Sequence, residues 1–344
     1  MSLTGKRRTR RPWFFVFTLL LTCVLLFFAL RGVDWHEMLI TAQQGDLRLG
    51  GLAVLILSFS YFLRGMRWRV LLSNQKDFSP LMAFWGICVG YLGNNFLPAR
   101  VGEIIRSVMV GRRLGISKSY VLATVLTERV IDAMTLAVFG GLAFSFLENT
   151  PSWLERATIS FGGMGVLGLL ALFIVPRLEG LLIPFLKRLP MPGGVRIRAV
   201  DLFAQFLKGM RAFHNVNRVL RFMALTTVIW LVDALTAIVV AMSFGFVLTL
   251  PQAAVLLAAL GLASALPSTP GYLGIYQFVA VTVLKPFGLN QNQALVFILA
   301  FQAVIYIVVV LWGLLGLWRL RVSKTSQASD GFGIRAVVSE EQQE

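Results

Sequence analysis

Gly93-Asn94-Asn95-Phe96-Leu97-Pro98-Ala99-Arg100-Val101-Gly102 breaks an apolar run that begins near residue 81. A second run, 252–288, is broken in the same manner by Leu266-Pro267-Ser268-Thr269-Pro270-Gly271. Lipid cannot satisfy free backbone N–H and C=O groups. A Pro/Gly break at membrane depth is therefore tolerated only inside protein or beside a polar cavity. Each segment is either a kinked crossing or a re-entrant hairpin, 81–113 and 252–288, that returns to the side it entered from. Choosing between the two decides the fold.

Composition places both breaks in a membrane chain. The 344 residues are 57% hydrophobic and 14% charged, with a mean hydropathy of +0.76. Soluble domains average about 25% charged residues, which excludes a water-soluble enzyme. Spanning the hydrocarbon takes roughly 20 apolar residues. The stretches 13–30, 49–66, 157–176, 222–248 and 293–318 meet that length, and 119–147 does so with Glu128, Arg129 and Asp132 inside it.

The net charge of +16 would suggest nucleic acid in a soluble domain. In a membrane chain it marks a cytoplasmic face, and no nucleic-acid partner is expected. With both broken segments re-entrant, about six crossings remain and both termini are cytoplasmic. The segments 1–12, 64–80, 98–118, 177–221 and 319–344 then carry 27 of the 32 Lys and Arg on that face. Taking only the first hairpin as a crossing would put Arg112, Arg113 and Lys118 outside, against the positive-inside rule.

The expected fold is an all-α polytopic membrane protein of about six transmembrane helices plus two opposed re-entrant hairpins in an inverted repeat. Residues 1–12 form a basic cytoplasmic N-terminus. Residues 13–147 form the first repeat, with hairpin 81–113. Residues 157–320 form the second, with an amphipathic cytoplasmic segment 178–221 and hairpin 252–288. Residues 321–344 read as a disordered cytoplasmic tail. Leu97-Pro98-Ala99-Arg100-Val101-Gly102 aligns with Leu266-Pro267-Ser268-Thr269-Pro270-Gly271, and inverted repeats with paired broken helices place a transporter's site near the bilayer midplane. Within 178–221, the apolar residues Leu202, Phe203, Phe206, Leu207 and Met210 fall on one helical face. That helix either lies on an anionic leaflet or packs on the bundle.

Cys23, Cys88, His36 and His214 are isolated from one another, so no metal site or cofactor is expected. The basic N-terminus before Trp13–Leu30 lacks a clear small-residue cleavage site and reads as a retained first crossing. No Gly-rich nucleotide loop or Ser/His/Asp set is present, so no catalytic residue is nominated and transport is favoured over enzymatic activity.

Ionisable groups at membrane depth are costly and face the interior, which makes them candidates. Glu128 and Asp132 share a helix face, with Arg129 able to pair with Asp132. They form either a structural ion pair or a clamp for phosphate or carboxylate. At the first break Asn94 and Asn95 precede Pro98, and Arg100, Glu103 and Arg106 follow at three-residue spacing. Those arginines bind either an anionic head group or interfacial lipid phosphates. At the second break Ser268, Gly271, Gly274 and Gln277 could line a groove, or the glycines could serve tight packing. Asp233 has no evident partner in the sequence.

Gly93-Asn-Asn-Phe-Leu-Pro-Ala-Arg-Val-Gly-Glu-Ile-Ile-Arg106, Leu122-Ala-Thr-Val-Leu-Thr-Glu-Arg-Val-Ile-Asp132 and Pro267-Ser-Thr-Pro-Gly-Tyr-Leu-Gly-Ile-Tyr-Gln277 together resemble the lysylphosphatidylglycerol synthase transmembrane family, also called flippase-like or UPF0104 proteins. The resemblance covers almost the whole chain. The third motif departs from the family pattern at Tyr272 and Gln277, where the family has Gly and Glu, and Gln302 stands where an Arg is frequent. These departures argue against a proton-carrying role for the second hairpin and for a different substrate. The resemblance implies a multi-pass protein of the cell membrane that moves a phospholipid or polyprenyl-linked lipid between leaflets. It also implies partners among membrane lipids and a separate lipid synthase or glycosyltransferase. A head-group transferase or an accessory subunit of a lipid or glycan pathway is the alternative.

Overall fold

A computed structural model describes residues 11–73, 76–97, 100–147, 152–188, 215–264 and 270–340, with a few single positions between 194 and 207. All regular structure among the described residues is helical. The helices are α1 (Arg11–Leu30), α2 (Trp35–Gln43), α3 (Leu47–Leu72), α4 (Pro80–Phe96), α5 (Val101–Leu114), α6 (Lys118–Phe144), α7 (Ser152–Ile174), α8 (Glu179–Arg188), α9 (Val216–Ser243), α10 (Leu250–Ala263), α11 (Ile275–Leu284) and α12 (Gln291–Glu340).

Local signals set the helix ends. Asp34 caps α2 by accepting from the backbone N–H groups of His36 and Glu37. Ser79 caps α4 just before Pro80, where the missing proline N–H costs nothing. Ser117 caps α6 and Asn215 caps α9. Gly115, at φ 69°, closes α5.

By length and composition α3, α9 and Gln291–Leu320 of α12 can each cross a membrane. Thr18–Leu30 and Trp35–Gln43 together make a further candidate, bent by 85°. Helix α6 has the length but carries Glu128, Arg129 and Asp132 in its middle. The chain is thus a multi-pass helical membrane protein. Each expected crossing falls largely on one helix, and each broken run is a pair of helices around an interruption: α4 and α5, then α10 and α11.

Helices α4 and α5 run antiparallel in close contact. Gly86 meets Val110, Gly90 meets Arg106 and Gly93 meets Gly102. A side chain at Gly102 would strike the carbonyl of Gly90 and the amide of Asn94, so only glycine lets the two backbones approach. Elsewhere α3 packs on α9, α4 on α12, and α10 on α6. The first helix of each pair therefore rests on the last long helix of the other half.

Helix α12 continues through residue 340, across the stretch expected to be a disordered tail. Part of the expected amphipathic segment 178–221, including Leu202, Phe206 and Met210 of its apolar face, lies outside the described residues, as does Ser268.

A buried charge network beside a cavity

Helix α3 turns a continuous stripe inward: Ala53, Leu57, Ser60, Arg64, Arg67 and Leu71 are all buried. The spacing is that of one helix face, and its polar members meet acids on α6 and α9. Arg67 donates to Asp132 twice, Nη1 to Oδ1 at 2.5 Å and Nη2 to Oδ2 at 2.9 Å. Its Nη2 also donates to Glu128 Oε1 at 2.7 Å, and its guanidinium lies 5.2 Å from the Phe222 ring centre. Glu128 accepts from Arg106 at 3.0 Å through its other oxygen. Arg106 in turn covers the Trp68 ring at 4.4 Å.

One helical turn away, Arg64 donates to Asp233, which also accepts from Ser60 at 2.5 Å. Arg129 donates through Nε to Glu103 Oε1 at 2.8 Å. The Tyr91 hydroxyl accepts from both Arg64, at 3.2 Å, and Arg129, at 3.4 Å. Tyr91 therefore joins the two clusters. Burying such ions has a large desolvation cost, recovered only when every charge is paired at good geometry.

Two expectations are corrected here. Asp132 pairs with Arg67 across the bundle, and its neighbour Arg129 turns instead to Glu103. Residues three apart on a helix are neighbours, but a guanidinium on a facing helix supplies a bidentate contact that the local pair cannot. Asp233, without an evident partner in sequence, is held by Arg64 and Ser60. The cations assigned to the cytoplasmic face also include Arg64, Arg67 and Arg106. All three are buried and pair with acids within the bundle.

The second break is held by side-chain amides. Gln277 accepts from the Gly274 amide at 2.7 Å and donates to Gln302 at 2.5 Å. Gln302 donates to the Gly271 carbonyl at 3.0 Å. Gly271, at φ 74°, also lies directly beneath the Tyr306 hydroxyl, where a Cβ would collide.

Between the two breaks lies a cavity of about 160 Å³. Asn94 and Asn95 line it from the first break, Ser264, Gly271 and Tyr272 from the second, and Arg64, Tyr91, Arg129 and Asp233 from the charged side. Arg100, a non-glycine residue at φ 53°, bridges the breaks by donating to the Ser264 carbonyl and, at 3.4 Å, to its hydroxyl. Three of the lining residues carry a buried polar atom without a hydrogen-bond partner: Arg64 Nε, Trp230 Nε1 and Asn94 Oδ1. Such atoms are rare in folded proteins and call for an explanation.

Of the residues nominated from sequence, Asn94, Asn95, Arg129 and Gly271 line this cavity. Glu103, Arg106, Glu128 and Asp132 belong to the charge network behind it, and Arg100 to the bridge. Gly274 packs against Thr22 of α1, and Gln277 serves the amide relay. Sequence reasoning missed Arg64 and Arg67, although the i, i+4, i+7 spacing of Ser60, Arg64 and Arg67 carried the signal. It also missed Tyr61, Tyr91 and Trp230, aromatic residues indistinguishable in sequence from ordinary core, whereas Tyr276, a candidate of the second break, does line the cavity.

Comparison with known proteins likewise points to a membrane protein. Over 97% of its length the chain is 25% identical to Glycosyltransferase AglD of Haloferax volcanii, of which it spans 59%. It is 24% identical to a UPF0104 membrane protein of Methanocaldococcus jannaschii, over 64% of this chain and 90% of the relative. A UPF0104 membrane protein of Methanothermobacter thermautotrophicus is likewise 24% identical, over 81% of this chain and 84% of the relative. Residues 15–313 match the family described as the lysylphosphatidylglycerol synthase TM region, and the chain belongs to that family.

Proposed function

We propose that the protein is a lipid transporter of the cell membrane, moving a phospholipid or polyprenyl-linked lipid between leaflets. The head group enters the cavity between the two breaks while the hydrocarbon stays in the bilayer. The observation that carries this reading is the cavity itself. It is a space at the joint of two broken helix pairs, with an otherwise largely apolar wall into which Arg64 and Arg129 are set. Arg129 meets a lipid phosphate on the open side, with Glu103 holding its guanidinium in place. Arg64, fixed by Asp233 and Tyr91, supplies the second donor.

In this reading the chain crosses the membrane six times, α4–α5 and α10–α11 are re-entrant hairpins, and both termini are cytoplasmic. The reading is supported by the exchanged packing of α4 on α12 and of α10 on α6. That exchange is what a two-fold relation between inverted halves produces. The test of topology is cysteine accessibility from the two faces of sealed vesicles. Labelling of a residue 1–10 substitution and a residue 341–344 substitution from opposite faces would overturn it.

Transport is tested by reconstituting the purified chain in liposomes with fluorescent phospholipids and short polyprenyl phosphates. Transfer above that of empty vesicles is expected, and its absence for every lipid class would overturn the reading.

A second reading places the chain beside a separate lipid synthase or glycosyltransferase in a lipid or glycan pathway. It is favoured by the match to 59% of a relative named as a glycosyltransferase. Copurification of such an enzyme in fixed ratio tests it.

A further inference from the structure

We infer that two apolar grooves, one behind each broken helix pair, each seat a fatty acyl chain of the lipid whose head group enters the cavity. The inference rests on the reading of the cavity as a head-group site and adds where the hydrocarbon lies.

One groove, of about 500 Å³, lies among α6, α7, α10 and α11. The other, of about 410 Å³, lies among α4, α5 and α12. Among the described lining residues Thr282 carries the one side-chain hydroxyl, and it donates to the Phe278 carbonyl at 2.7 Å. Neither groove therefore suits a polar ligand. Phe161 in the larger groove, and Phe96 and Leu314 in the smaller, are about half exposed, so both grooves open toward lipid.

Their positions repeat. The alignment of Leu97-Pro98 with Leu266-Pro267 sets Val89 against Ala258 and Gly93 against Leu262. Further on, Gly115 and Gly288 both take left-handed φ values, 69° and 92°, and each is followed two residues later by a helix cap, Ser117 and Asn290. That register sets Ala137 against Val310. Val89, Gly93 and Val310 line the smaller groove, and Ala258, Leu262 and Ala137 line the larger. A chance packing defect would not recur at equivalent positions of both halves.

Size and continuity name the occupant. An apolar cavity of about 150 Å³ holds the six carbons of one benzene ring, so in proportion the grooves hold about twenty and about sixteen carbons. That is the length of a fatty acyl chain. Each groove also meets the cavity at a break. At the end of α10, Ala263 lines the larger groove and the next residue, Ser264, lines the cavity. At the end of α4, Gly93 and Phe96 line the smaller groove, and Asn94 and Asn95 between them line the cavity. Neighbouring Cα atoms are about 3.8 Å apart, so a head group in the cavity and a chain in either groove fit one lipid molecule.

The test is photolabelling of the full-length chain in phosphatidylcholine vesicles. The probe is trace phosphatidylglycerol with a diazirine in one acyl chain, and labelled peptides are identified by mass spectrometry. Peptides of both grooves are expected to take up about fivefold or more label than the exposed face of α9 around Val228 and Leu235. Ala259→Trp fills the larger groove and Val310→Trp the smaller. Each is expected to lower labelling of its groove about tenfold, the loss of about two buried methylene groups. Leu142→Trp and Leu311→Trp, at exposed positions of α6 and α12 outside the grooves, are expected to leave it within about twofold. The wild-type map decides even where a tryptophan variant fails to fold. Labelling in proportion to exposure, or unchanged by folded groove variants, overturns the inference and leaves the head-group reading standing. Stronger groove labelling by a diazirine polyprenyl phosphate overturns the acyl assignment. Unlabelled grooves in a chain that elutes as a dimer assign them to a second copy and overturn it as well. Groove labelling in a chain that transfers no lipid supports the grooves and overturns the reading of the cavity.

Discussion

Arg67 on α3 and Asp132 on α6 face each other through two parallel hydrogen bonds, at 2.5 and 2.9 Å, both side chains being buried. The pair ties α3 to α6 beside the bonds from Arg67 to Glu128 and from Trp68 to Thr124. Removing one partner leaves an uncompensated buried charge, which costs about 3–5 kcal/mol. Asp132→Ala is expected to lower thermal stability in detergent by that amount. Replacing both, Arg67→Leu with Asp132→Leu, leaves Glu128 with Arg106 and is expected to cost less than the single change. A double variant less stable than the single one would contradict the pairing.

Arg100 tests backbone strain separately from the loss of its side chain. Its φ of 53° costs a non-glycine residue about 1–2 kcal/mol, held by the contact to Ser264. Arg100→Ala and Arg100→Gly both remove that contact, but glycine relieves the strain. Unfolding midpoints should place Arg100→Gly above Arg100→Ala by about 1 kcal/mol. Equal midpoints would argue that the break relaxes once the arginine is gone.

The amide relay at the second break has its own signature. Gln302→Leu strands the Gly271 carbonyl and the Gln277 amide, each buried. About 1–3 kcal/mol per stranded group is expected, read as a lowered melting temperature. The same substitution at Gln293, half-buried in the first turn of the same helix, loses only a contact to the Asn290 amide and should cost less. A Gln302→Leu variant as stable as the parent would mean that the break is held by other contacts.

Gly102 makes the hairpin of α4 and α5 testable. A methyl group there meets backbone atoms of Gly90 and Asn94, which cannot rotate away as a flexible side chain could. Gly102→Ala is expected to abolish the folded state or shift its elution, whereas Gly50→Ala, which meets nothing within 4 Å, is expected to be silent. Analytical size-exclusion of the two variants separates the outcomes.

Much of this is legible in the sequence, for physical reasons that also mark its limit. Pro98 and Pro270 interrupt apolar runs where lipid leaves backbone groups unsatisfied, so the positions of the two helix pairs follow from the order of residues alone. Glu128 and Asp132, one turn apart in an apolar helix, mark a buried site. Their partner is not marked in the same way: Arg67 lies near the end of an apolar helix, where an arginine ordinarily reaches toward lipid head groups. A guanidinium paired across the bundle and one at the interface have the same local sequence. Tyr91 is hidden for a different reason. An aromatic residue at helical spacing is usually core, and only the fold brings its hydroxyl to Arg64 and Arg129.

The central claim is that the cavity between the breaks handles a lipid head group, and leaflet transfer in liposomes tests it most directly. The wild-type chain, Arg129→Ala and the surface control Arg112→Ala would be reconstituted at equal density and followed with fluorescent phospholipid and polyprenyl probes. Transfer by the wild type and by Arg112→Ala, with about a tenfold or greater loss for Arg129→Ala, is the expected result. Undiminished transfer by Arg129→Ala would contradict the account.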